Sequence, residues 1–110
     1  MFGFFTPTEV SPEDAYERLR AQGHVLVDVR SPGEVAAAGV AGAVNIPLEQ
    51  LERAAPELAQ YETVHLLCRS GSRSGYGTRL LAARGVPQAK NVAGGLIAWK
   101  QQGSRCGKST

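Results

Sequence analysis

Cysteine is scarce in this chain: two in 110 residues, Cys68 and Cys106. Two thiols do not make a disulfide framework, and neither has the nearby cysteine or histidine partners of a zinc site. Free thiols in a reducing compartment are the expectation, with no metal. No stretch approaches the roughly 20 apolar residues of a membrane span, so no membrane partner is expected. The opening "MFGFFTPTEV" is apolar but short, and it lacks the basic start and long apolar centre of a signal peptide. A cytoplasmic location is expected, unless a presequence has been removed. Neither sign of charge dominates: 12 Lys and Arg face 10 Asp and Glu, for a net charge of +2. No basic cluster forms a phosphate-backbone stripe, so no nucleic-acid partner is expected.

The apolar fraction of 43% is enough for one core, and a charged fraction of 20% argues against disorder. One domain over residues 1–102 is expected, as a monomer or weak dimer. The tail at 103–110, "GSRCGKST", is small and polar and is expected to be mobile. Its "GKST" is not a phosphate loop, because the spacing from Gly103 is one residue short and the chain stops at Thr110.

Strands and helices alternate along the chain. Ser11-Pro12-Glu13-Asp14 opens a helix that Gly23 ends, and Ser31-Pro32-Gly33-Glu34 repeats the capping chemistry for a second. "VLVDV" (25–29), "GAVNIPL" (42–48), "TVHLLC" (63–68) and "AKNVAGG" (89–95) read as strands or strand ends. Residues 48–60 read as one or two short helices broken at Pro56. "GYGTRLLAARG" and "LIAWKQQ" read as the last two helices. The pattern predicts an α/β layer fold with a mainly parallel sheet. Ligands of such sheets sit beyond the carboxyl ends of the strands, where Cys68 and Asp28 fall.

The segment "CRSGSRS", Cys68 to Ser74, joins a strand to a helix start. Backbone N–H groups there lack partners and the helix dipole adds positive charge. Small residues (Ser70, Gly71, Ser72) let successive N–H groups turn inward as an anion nest, and Arg69 and Arg73 add formal charge. All of this favours a thiolate. A free cysteine is only about 3% ionised at pH 7, and lowering its pKa by about two units makes it roughly three-quarters thiolate. A buried structural cysteine would leave the flanking Arg-Ser-Gly-Ser-Arg without a reason. The spacing to the second arginine is C-x4-R, one residue shorter than the C-x5-R loop of cysteine-dependent phosphatases.

At this point the chain resembles the rhodanese-like sulfurtransferases. "CRSGSRS" is similar to that family's active-site loop, "LVDVRSPGEVAA" (26–37) to its first signature and "NVAGGLIAW" (91–99) to its closing segment. The resemblance implies a five-stranded, mainly parallel sheet with helices on both faces. It implies a thiosulfate sulfurtransferase working through a Cys68 persulfide, with no cofactor. The donor would be a small anionic sulfur compound, and the acceptor cyanide, a thiol or a protein thiol. Cys68 would be catalytic, Arg69, Ser70, Gly71, Ser72 and Arg73 would bind the substrate, and Asp28 and Ser74 would support them. The chain departs from the family at Gly39, where many members carry a histidine. The alternatives are a persulfide carrier or regulatory domain for one protein partner, and a phosphatase or arsenate reductase, which the short loop disfavours.

The remaining candidates have plainer readings. Asp28 either braces the loop or Arg73, or is a turn carboxylate. Arg30 and Glu34 are expected to pair with each other. Gly94-Gly95 fits either a close backbone approach or a tight turn. Trp99 is expected in the core, His65 hydrogen-bonded or at an edge, and His24 in a surface turn. Cys106 is expected to be incidental rather than a resolving thiol.

Overall fold

A computed structural model describes residues 8–106, the side chains of 103–106 excepted. Five strands form one sheet: β1 (Glu9–Val10), β2 (His24–Asp28), β3 (Val44–Asn45), β4 (Thr63–Leu67) and β5 (Ala89–Val92). Their order is β1-β5-β4-β2-β3, and every neighbouring pair is parallel. Four helices connect them, α1 (Pro12–Arg18), α2 (Pro32–Ala37), α3 (Leu51–Leu58) and α4 (Ser72–Ala83), and α5 (Gly95–Cys106) follows the last strand.

The central strands alternate between two cores, as a pleated strand with both faces covered must. Val25, Val27, Val64 and Leu66 face one way, onto Leu51, Ala55 and Leu58 of α3 and Leu81 of α4. Leu26 and Leu67 face the other way, onto Ala15 of α1 and Leu96 and Trp99 of α5. Trp99 is buried, as expected. Helix α4 comes close to the sheet because Gly77 has no side chain: a Cβ there would lie 2.8 Å from Leu51 and 3.2 Å from Leu66.

Several boundaries differ from the sequence reading. Helix α1 stops at Arg18, and turns carry the chain to Gly23, whose φ of +90° suits only glycine well. Pro56 sits inside α3 rather than breaking it, and a 3-10 turn at Leu48–Gln50 leads into that helix. Helix α4 starts at Ser72, well before Gly75. The two-residue β1 carries no periodic signal of its own; it is a strand because β5 pairs with it. The backbone of α5 continues to Cys106. The "GKST" end and the Cys106 side chain lie outside the described residues.

Candidate active site

Cys68 follows β4 directly and is 1% exposed. Its Sγ accepts hydrogen bonds from the N–H groups of Gly71 (3.1 Å) and Ser74 (3.3 Å). The Ser74 hydroxyl lies 3.2 Å away. These donors lie at the N-cap and in the first turn of α4, where N–H groups have no helical acceptor. Gly71 precedes that helix with φ +107°, a left-handed conformation that a side chain would strain.

A second helix start shapes the same loop from outside. The N–H of Leu96 donates to the Cys68 carbonyl (2.7 Å) and that of Ile97 to the Arg69 carbonyl (3.1 Å). Two loop carbonyls therefore point at α5, which leaves the loop N–H groups to face the sulfur. Gly94 and Gly95 make this possible. Both have positive φ, and a Cβ on Gly95 would lie 2.6 Å from the Cys68 carbonyl oxygen. Close approach and tight turn are thus the same requirement.

The net effect is a Cys68 pKa below the ordinary thiol value. Burial pushes it up, but the Ser74 hydroxyl and the N–H groups of Ser74, Gly71 and Ser70 together push it down further. The charged form is held by dipoles, without a metal ligand set: no group of three or more metal-binding side chains occurs among the described residues.

The charged residues pair differently from the sequence expectation. Glu34 pairs with Arg73, not with Arg30. Both contacts are made as a fork, at 2.8 and 3.0 Å. The same carboxylate closes the capping box of α2 by accepting from the Ser31 N–H (3.0 Å). The Arg73 guanidinium, then the Ser31 N–H, hold the Glu34 carboxyl down at about 2. Arg30 instead pairs with Asp28, with both side chains buried and a shortest contact of 2.7 Å, and it donates to the Ala38 carbonyl at 2.6 Å. The Asp28 carboxylate thus serves Arg30, and among the described residues it makes no hydrogen bond to the loop or to Arg73. Arg69, Ser70 and Ser72 are exposed at the mouth, and Arg69 has no carboxylate partner among the described residues.

Sequence reasoning gave no role to Asn91. It is buried on β5, accepts from Ser74 Oγ at 2.6 Å and donates to the Gly71 carbonyl at 3.1 Å. The available signal was its type, since asparagine is depleted in strands and needs partners when buried. His65 is hydrogen-bonded, as expected, but its partner was not foreseen. His24 is no surface turn residue: it opens β2, and its ring stacks on that of the fully buried His65, with Nδ1 3.1 Å from His65 Nε2.

The family model described as Rhodanese-like domain matches residues 11–102. An uncharacterised protein of Synechocystis is 33% identical over 98 residues, which are 89% of this chain and 55% of that protein. The chain therefore spans little more than half of that relative. A protein of Allochromatium vinosum named sulfurtransferase is 31% identical over 96 residues, 86% of this chain and 90% of the other. Among solved structures, the human single-domain sulfurtransferase TSTD1 superposes with a TM-score of 0.75 at 29% identity, covering 88% of this chain and 98% of that one.

Proposed function

The chain belongs to the rhodanese-like domain family, and we propose that it is a sulfurtransferase that carries sulfur as a Cys68 persulfide. The observation that carries this reading is the environment of Sγ: a buried sulfur at a strand's carboxyl end, ringed by N–H donors and a hydroxyl. Such a ring stabilises a negative sulfur before and after the transfer. The thiolate attacks the outer sulfur of thiosulfate or a similar donor. The donor's S–S bond breaks, and sulfite leaves with the bonding pair. Cyanide, a small thiolate or a protein thiolate then attacks the outer sulfur of the persulfide, and the Sγ–S bond breaks to restore the thiolate. One transfer is split into two easier ones, as in other covalent catalysis. Arg69 and Arg73 draw in the anionic donor. A reducing cytoplasm would keep the thiol free.

The test is intact mass after incubation with thiosulfate. One added sulfur on Cys68, absent from Cys68→Ser and retained in Cys106→Ser, is the expected result, together with complete loss of transfer to cyanide in Cys68→Ser. Near wild-type turnover by Cys68→Ser would sink the proposal.

A further inference from the structure

Asn91, Ser74, Cys68 and Gly71 form a closed ring of hydrogen-bonding groups, and once Cys68 is ionised the ring contains one proton too few for every contact to be satisfied. Asn91 Nδ2 lies 3.1 Å from the Gly71 carbonyl oxygen, which can only accept. That contact sets the amide's orientation and turns Oδ1 toward Ser74 Oγ, 2.6 Å away. Oδ1 can only accept, so the Ser74 hydroxyl must donate to it. The same hydroxyl is 3.2 Å from Sγ and has a single proton. When Cys68 is a thiol the ring closes: sulfur donates to Ser74, Ser74 to Asn91, Asn91 to Gly71, and the Gly71 N–H to sulfur. When Cys68 is a thiolate, Ser74 must leave either the sulfur or Asn91 without a donor.

We propose that Asn91 is a positioning residue that competes with the Cys68 thiolate for the Ser74 hydroxyl proton. It acts through Ser74 and does not touch the sulfur. The consequence bears on the reaction step proposed above. Asn91 keeps the resting thiolate from being fully satisfied, and it regains the hydroxyl once charge has moved from Sγ to the outer sulfur. The ring therefore favours loading over the bare thiolate. The sign of the effect runs against ordinary expectation, since removing a buried polar partner here makes the nucleophile more acidic.

Asn91→Leu tests it. The substitution keeps the volume, and the Gly71 carbonyl keeps its helical donor, the Gly75 N–H at 3.0 Å. Ser74 keeps Sγ as an acceptor. The charged groups around the loop stay as they are: Arg69 in the loop, Arg73 on α4, Glu34 on α2, and Asp28 with Arg30 at the end of β2. The readout is the Cys68 pKa, from thiolate absorbance and alkylation rate against pH in a Cys106→Ser background. It needs no sulfur donor, so it stands or falls apart from the sulfurtransferase reading. The pKa should fall by about half a unit to one unit, the worth of one neutral hydrogen bond. In a Ser74→Ala background the same Asn91→Leu change should move it not at all. A rise or no change in folded Asn91→Leu, or an equal shift in both backgrounds, overturns the proposal. Should Asn91→Leu not fold, Asn91→Ala carries the same expectation.

Discussion

Strand β4 presents two buried titratable side chains three residues apart, His65 within it and Cys68 just past its end, and the fold treats them oppositely. Both have pKa values below the ordinary ones, yet the shifts mean different things. At Cys68 the lowering favours the charged form, because helix N–H groups and the Ser74 hydroxyl outweigh the cost of burial. At His65 the lowering, down to about 4, disfavours the charged form: burial comes first, then the neighbouring His24, Arg18 and Lys90. The Nδ1 of His65 is buried without a hydrogen-bond partner. Position along the strand decides the difference. Cys68 lies where a helix begins and donors are free, whereas His65 lies mid-strand, where β2 and β5 already use the backbone groups. Burial alone does not prepare a nucleophile; unspent donors do.

Breaking the His65 side of this comparison should have the largest effect. Above pH 6.5 the ring is neutral in folded and unfolded chains alike. Between pH 6.5 and about 4 only the unfolded chain takes the proton, so stability falls as pH falls. His65→Leu should remove that loss, a relative gain of about 3 kcal/mol by pH 4, while leaving sulfur transfer intact. Urea midpoints at pH 7.5 and 4.5 measure it. Parallel behaviour of wild type and variant would mean that His65 is not held neutral.

Ser74→Ala sharpens the Cys68 side. It deletes a donor to a charged sulfur, so the Cys68 pKa should rise by about one to two units. The pH dependence of alkylation checks it. An unchanged pKa would assign the whole preparation to backbone N–H groups.

The smallest effect is expected at the mouth. Arg73 and Glu34 are each more than a third exposed, so solvent screens their pair and it contributes little to stability. If Arg73 serves the donor and Glu34 restrains it, the two residues oppose each other in function. Arg73→Ala should lower kcat/KM for thiosulfate by about threefold, and Glu34→Gln should raise it by a similar factor. A parallel loss in both variants would make Arg73 a brace of α2 on α4 instead.

Most of the architecture was legible in the sequence. The β-branched runs and the Ser-Pro starts are local signals, and Ser11 and Ser31 do cap α1 and α2. The misreadings share a cause. Arg30 pairs with its near neighbour Asp28 rather than with Glu34: its buried guanidinium bridges the Asp28 carboxylate and the Ala38 carbonyl. Glu34 is drawn instead to Arg73, 39 residues away. Pro56 interrupts nothing, because helix packing of Leu51, Ala55 and Leu58 against the sheet outweighs its local preference.

By itself the sequence determined the Cys68 loop, because Cys68 through Ser74 are seven consecutive residues and a strand-to-helix turn gathers their N–H groups in one place. The tertiary structure decided who stands behind the loop. The α5 N–H groups on the loop carbonyls, Asn91 on Ser74, Glu34 on Arg73 and His24 on His65 all arrive from distant parts of the chain. Those contacts depend on which strand ends the sheet order places side by side, and no local backbone preference carries that information.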